Sequence, residues 1–336
     1  FFGNPTSSGV SLRRTGATAT SRTLILRDGI PQNDPFGGWV SWARYDSGTL
    51  ASARLIPAAG ATVWGNQSPA GTVQLTTRTP ERSGGYLRTT IGSHDTRAVS
   101  LGGDIVSEDG RHTILSNVYS LQSDGFYGLS ESQRGAVDRR LDLDVRGIDL
   151  RSVWQGGQGV TLESMFSFFD EERGNGTVLS RNSSRAIDAS LRASWETDGL
   201  TWQATGYYQR RDFAALFSSV NTDRSFESPA LNQFDVPGSG LGGGLTTTFD
   251  VSDQLEMTLG ADVRHLRGET NENAGFVNGA FLRRRQAGGR QTFTGAFARA
   301  EFNNGLLLYT SDAADDLPCV ALGGRRIIKK KQHIRE

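Results

Sequence analysis

From about Ser83 to Asn303 the chain repeats one motif, a run of alternating polarity followed by a turn. In Leu255-Glu256-Met257-Thr258-Leu259-Gly260-Ala261-Asp262-Val263-Arg264 the odd positions are apolar and the even ones are polar or glycine. Ile187, Ala189, Leu191, Ala193 and Trp195 alternate in the same way with Asp188, Ser190, Arg192 and Ser194. Trp202, Ala204, Gly206 and Tyr208 do so with Gln203, Thr205 and Gln209. A period of two residues puts successive side chains on opposite faces of an extended strand, so each segment predicts a strand with one oily and one wet face. The pattern predicts about ten such strands. Those near Thr113–Leu121 and Thr292–Phe302 are less regular, and their faces stay unassigned.

Alternation alone suits a soluble sandwich as well as a membrane barrel, so the connections carry the distinction. Short turns are predicted at Ile105–Gly110, Gly156–Gly159, Thr197–Gly199 and Ser252–Gln254. Long polar loops are predicted at Gln122–Asp142, Glu172–Ser184, Asp212–Pro237 and Gly268–Arg290. In an antiparallel meander consecutive connections lie at opposite ends, so this order sorts short turns to one end and long loops to the other. Outer-membrane barrels have that asymmetry.

The first eighty residues differ, with short strands, frequent turns and a mixed pattern. Arg22-Thr23-Leu24-Ile25-Leu26-Arg27-Asp28-Gly29-Ile30-Pro31-Gln32-Asn33-Asp34-Pro35-Phe36-Gly37-Gly38 resembles the strand, Asp-Gly turn and following loop of the plug of TonB-dependent outer-membrane receptors. Gly60-Ala61-Thr62-Val63-Trp64-Gly65-Asn66-Gln67-Ser68-Pro69-Ala70-Gly71-Thr72-Val73-Gln74-Leu75-Thr76-Thr77-Arg78 is similar to the segment that closes that plug. Leu12-Arg13 resembles its earlier hydrophobic-Arg step. The chain departs from the family pattern at Arg54 and Pro57-Ala58-Ala59-Gly60, where an acidic residue and Arg-Gly-Pro are usual, and at Gln74-Leu75, where Ile-Asn is common.

The resemblance implies an all-β membrane protein: a small mixed α/β-type plug domain followed by an incomplete antiparallel transmembrane β-barrel. The expected boundaries are a partial plug over 1–80, the N-terminal half of a barrel over 81–306, and a foreign disordered tail over 307–336. It further implies a bacterial outer-membrane location and TonB-dependent uptake of a scarce ligand such as a ferric siderophore, cobalamin or an oligosaccharide. The expected partners are outer-membrane lipid, that ligand, and the inner-membrane TonB complex, whose binding segment and export signal are expected upstream of residue 1. No cofactor, metal or nucleic acid is implied. A secreted β-rich adhesin or carbohydrate-binding module is the alternative.

Composition narrows this picture. Glycine supplies 42 of 336 residues and cysteine one, which suits a β-protein exported through an oxidising compartment. No apolar run approaches the roughly 20 residues of a membrane helix, and a net charge of +0 offers no basic surface for nucleic acid. Lys329, Lys330 and Lys331 are the only lysines and Cys319 is the only cysteine. The segment that holds them also loses the strand alternation and resembles translated sequencing-adapter read-through.

The sequence offers no catalytic constellation. Gly238-Ser239-Gly240-Leu241-Gly242-Gly243 has dinucleotide-loop spacing, but alternating residues follow it instead of a helix. His94, His112 and His265 lack metal-ligand spacing. Asp170-Glu171-Glu172 reads as a solvated loop entrance, since neighbouring strand residues point to opposite faces. Arg283-Arg284-Arg285 reads as a charged loop able to meet an anion. Asp28 and Gly29 form a turn pair, and Gly65 and Gly71 suit turns or close backbone approach. The resemblance places the ligand at the plug apex, on Arg13, Arg14, Thr15 and Thr18 in one loop and on Gln32, Asn33, Asp34, Phe36 and Trp39 in another.

Overall fold

The computed structural model describes residues 4–6, 9–10, 12, 22–57, 68, 70–157 and 159–302, and the backbone of 329–335. Arg13, Arg14, Thr15, Thr18 and Gly65 lie outside the described residues.

Two sheets account for the strands. The smaller one joins β1 (Thr23–Arg27), β2 (Ile30–Pro31), β3 (Leu50–Ile56) and β4 (Gly71–Thr77) in the order β2-β1-β4-β3. Strands β1 and β4 run parallel, from Thr23 opposite Gly71 to Arg27 opposite Leu75. A strand buried on both faces needs no alternation, and β1 is buried throughout. Asp28 and Gly29 make the tight turn from β1 to β2 with φ of 49° and 77°, the left-handed pair that a two-residue hairpin demands. Among the described residues this region holds one 3-10 turn, Trp42–Arg44, and no α-helix. The helical share expected of the plug is therefore not found there.

The larger sheet is a continuous meander of β5 (Gly84–Gly92), β6 (Thr96–Val106), β7 (His112–Ser123), β8 (Leu143–Gln155), β9 (Thr161–Gly174), β10 (Arg181–Thr197), β11 (Leu200–Val220), β12 (Glu227–Ser252), β13 (Leu255–Val277) and β14 (Ala280–Phe302). Its first strand does not pair with its last, so the sheet stays open. A further strand, β15 (Lys329–Arg335), pairs with β14. The exposed edge of β14 offers unpaired N–H and C=O groups, and an edge of that kind takes up an extended segment with little regard to its side chains.

Several predicted loops are strands. Asp212–Pro237 and Gly268–Arg290 belong almost wholly to β11, β12, β13 and β14, and Asn278-Gly279 alone turns the last hairpin. Glu172–Ser184 contracts to the connection between β9 and β10. The reason is backbone pairing: an antiparallel ladder satisfies N–H and C=O groups whatever the side-chain polarity, so strands continue past the end of the apolar pattern. Asp170-Glu171-Glu172 thus lies within β9, where buried Glu171 pairs with Arg173. Arg283-Arg284-Arg285 lies within β14, with Arg285 2.7 Å from Glu272 and Arg284 stacked on Phe234.

The large sheet is inside out. Leu87, Ile91, Leu101, Ile148, Leu150, Leu191, Leu241, Leu245 and Val263 are exposed on one face. Asn117, Asp149, Ser167, Asp188, Gln209 and Arg211 are buried on the other. The outward face changes character along one line. Ile148, Phe168 and Ile187 are register partners, and the next outward row is Arg146, Asp170 and Arg185. Towards the short-turn end the outward row ends in aromatics, where Trp195 and Trp202 stack with centroids 6.2 Å apart. From Ile187 to Trp195 the strand covers roughly 27 Å at about 3.4 Å per residue. Barrel tilt reduces that to about 20 Å along the axis, close to the roughly 25 Å apolar band of outer-membrane barrels.

Candidate functional site

The small sheet touches the inner face of the large one over most of its width. Tyr86 of β5 lies against Gly48, and Phe36 lies against Gly238 of β12 and Gly268 of β13. Between these ends, Arg78 makes a bidentate pair with Asp104 of β6 at 2.7 and 2.9 Å. The Tyr119 hydroxyl of β7 donates to the Arg44 carbonyl at 2.6 Å. A flat sheet cannot reach one small unit from strands so far apart, so the large sheet wraps around it.

Buried charge fixes the contact. Arg27 donates to Asp149 of β8 at 2.6 Å, and both side chains are almost fully buried. Burial alone would lower the Arg27 guanidinium, but the Asp149 charge and hydrogen bond outweigh it and raise it. Asp188 of β10 is the hub of a second cluster. It receives Arg44 from the small sheet, Arg211 of β11 at 2.7 Å and Gln209 at 3.2 Å. Gln209 also donates to the Pro31 carbonyl. Such pairs are strong locks because removing one partner strands the other in low dielectric. None of these wall partners was singled out in the sequence, where each is one polar position in an alternating strand.

The residues of the loop after Asp28-Gly29 divide by role. Asn33 holds the loop's own backbone: its carbonyl accepts the Ile25 N–H at 2.9 Å, and its amide donates to the carbonyls of Thr23 and Gly38. Asp34 caps the turn by accepting the N–H groups of Phe36 and Gly37 at 2.8 and 2.7 Å. Burial raises its carboxyl above the ordinary value, while those N–H groups and Arg211 pull the other way. Gln32 is buried, donates to the carbonyls of Ile30 and Pro31, and accepts from Tyr45 at 3.2 Å. Trp39 packs on Phe213 with centroids 5.1 Å apart. Phe36, at 41% exposure, is left as the open surface of this loop, beyond the polarity line and on the side of the extended hairpins. Asp28 ties the turn to β4 through Thr77, whose N–H it accepts at 2.8 Å. Gly71 has φ of 136°, and an added Cβ would meet the Ile56 carbonyl at 2.7 Å, so its backbone admits glycine alone.

Between the Asp28-Gly29 turn and the inner faces of β10 to β14 lies a cavity of about 580 Å³. Gln74, Arg192, Tyr207, Asp262 and Arg264 line it. At the hairpin end the connection between β7 and β8 leans over its neighbours. Asp138 pairs with Arg224 at the tip of the hairpin from β11 to β12, and the Arg139 N–H donates to Gly176.

This geometry has counterparts among solved structures. The ferric-catecholate import receptor Fiu from E. coli K12 superposes with a TM-score of 0.67 at 14% identity, over 95% of this chain and 60% of that one. The chain has the plug-and-barrel fold of these receptors. The pyoverdine outer membrane receptor FpvA from Pseudomonas aeruginosa PAO1 gives 0.65 at 13%, over 91% and 52%. The ferric yersiniabactin uptake receptor FyuA from Yersinia pestis gives 0.64 at 14%, over 88% and 48%. The chain therefore spans about half the length of these receptors. No protein-family model matches its sequence, and no curated protein does. In the terms of this fold, the small sheet takes the place of the plug and the large sheet that of the barrel wall.

Proposed function

We propose that the chain is part of a bacterial outer-membrane receptor for TonB-dependent active uptake of a scarce ligand, with residues 1–80 as plug and 81–306 as the first part of the barrel. The observation that carries this reading is the inverted polarity of the wall, apolar towards the outside and charged towards the plug. A secreted sandwich would bury Leu191, Leu241 and Leu245 between two sheets, whereas here they face outward.

The receptors of like fold are named for ferric citrate, ferric catecholate, pyoverdine and ferric yersiniabactin, which makes an iron chelate the first ligand class to test. Cobalamin and oligosaccharides come next. In this reading the ligand meets Phe36 and the plug apex, and its binding biases the equilibrium of a plug clamped by Arg27–Asp149 and Arg44–Asp188. A ligand shifts such an equilibrium only by its differential affinity for the two states. The inner-membrane TonB complex supplies the remaining work. No step in the scheme makes or breaks a covalent bond.

The open edge of β5 and the part of β14 that β15 leaves unpaired imply further strands in the working receptor, since each unsatisfied backbone group in lipid costs several kcal/mol. Expression of the full chain with and without detergent tests the reading. Recovery only with membrane or detergent is expected. A soluble monomer that unfolds cooperatively in plain buffer refutes it.

A further inference from the structure

The outward rim just beyond the apolar belt carries several arginines, and most are answered by carboxylates. Arg146 lies 3.5 Å from Asp144, Arg185 lies 2.8 Å from Asp170, and Arg210 lies 3.0 Å from Asp212. Strands β13 and β14 break this rule. Arg267 is the direct register partner of Arg290. Gly268, beside Arg267, faces inward under Phe36, so Arg267 points outward. Arg264 stacks on Phe293 on the inner face, which sets the phase of β14 and turns Arg290 outward too. Both are exposed.

Like charges directly opposite each other on neighbouring strands are destabilising. Among the described residues neither guanidinium has an ion pair or a hydrogen bond. The acid next above them on β13, Glu269, accepts instead from Asn271 at 3.1 Å and Gln286 at 3.5 Å. Their row continues through Ser239 to Arg210 on one side and to the backbone position of Lys331 on the other, so neither neighbouring strand adds a carboxylate to the row.

We propose that Arg267 and Arg290 together form an outward-facing site for the phosphate of a membrane lipid headgroup. The site rests on the reading of the apolar belt as lipid-facing. Cross-strand partners lie about 4.5–5.5 Å apart at Cα, so two planar forks converge on one tetrahedral anion, each offering paired N–H donors. Position selects the lipid over free phosphate. The pair stands two outward steps above Val263, and Leu241 flanks Val263 across His265, so acyl chains hanging from the bound phosphate lie on the belt. The anion removes the like-charge penalty while the chains bury apolar surface.

The test uses the full chain in mixed micelles of a neutral detergent and phosphatidylcholine, titrated with phosphatidate, with bound lipid counted by native mass spectrometry. Preferential retention of phosphatidate is expected, weakened roughly tenfold or more in Arg267→Gln/Arg290→Gln, as the loss of charge-assisted hydrogen bonds requires. Arg146→Gln/Arg185→Gln, which removes two paired arginines, leaves retention unchanged. In neutral detergent without lipid the Arg267→Gln/Arg290→Gln chain melts at the same or a higher temperature than the parent, because it loses a repulsion; a lower midpoint contradicts the unpaired arrangement. Equal retention by parent and Arg267→Gln/Arg290→Gln, or displacement of lipid by equimolar inorganic phosphate, overturns the site. A chain that enters micelles without lipid preference sinks this inference alone. One that stays a soluble monomer sinks the outer-membrane reading with it.

Discussion

Arg44 of the plug and Asp188 of the barrel wall form a buried ion pair across 144 residues of sequence. The same carboxylate also takes Arg211 of β11 at 2.7 Å. Two guanidinium groups therefore depend on one wall residue, and the plug is held where that residue stands.

Replacing Asp188 by Ala leaves Arg44 and Arg211 buried with no carboxylate between them. Breaking one partner of a buried pair costs about 3–5 kcal/mol, enough to raise plug opening by roughly two to three and a half orders of magnitude. Limited trypsin digestion in micelles reads this directly: cleavage within 22–57 accelerates while β7 to β11 stay resistant. Unchanged cleavage within 22–57 would show that the other contacts, Arg27–Asp149 and Arg78–Asp104 among them, hold the plug without Asp188.

Leu245 stands in the middle of the outward belt and is 43% exposed. Leu245→Arg costs about 2–4 kcal/mol if that surface faces hydrocarbon, and within about 0.5 kcal/mol if it faces water. A chemical melt in lipid vesicles separates the two cases. A neutral result there would remove the main support for a membrane-facing wall.

The Asp138–Arg224 clasp sets a pH dependence at the hairpin end. The Arg224 hydrogen bonds hold the Asp138 carboxyl below its ordinary value, with the Gly135 N–H adding to the effect. A lowered folded-state pKa gives stabilisation that is complete above the ordinary value and is lost as pH falls through the lowered one. Protease access to 124–142 is thus expected to stay low down to about pH 4 and to rise in more acid buffer. Arg224→Gln raises it across the whole range. A loop equally accessible at every pH in the parent would contradict the clasp.

Asn33 and Phe36 are expected to separate under mutation. Asn33→Ala strips partners from the buried backbone of Thr23 and Ile25, at about 1–3 kcal/mol for each buried group left unpaired. Phe36→Ala removes an exposed ring and leaves the fold intact. Fluorescence of Trp39, packed on Phe213, reports the first effect. Binding of a ferric chelate to the completed receptor reports the second, with a lower affinity expected for Phe36→Ala. Loss of binding in neither variant would move the ligand site away from this loop.

Much of the fold is legible in the chain because strand periodicity is local. Leu255 to Arg264 declares two faces by its alternation, and Asp28-Gly29 declares its turn by the left-handed backbone those residues tolerate. The extent of the strands was not legible. Residues 268–290 read as a polar loop, yet they form the ends of β13 and β14, because backbone pairing is indifferent to the polarity of the side chains it carries.

The sequence by itself determined that one face of each strand is oily and the other wet, and that a plug-like segment precedes them. Only the tertiary structure decided which face looks outward and which polar residues of the wall receive the plug. Arg27 and Asp149 stand 122 residues apart in the chain, and Arg267 meets Arg290 through strand register. Alternation is a property of one strand and can be read along it, whereas the partner of a buried or unanswered charge depends on where the sheet curls.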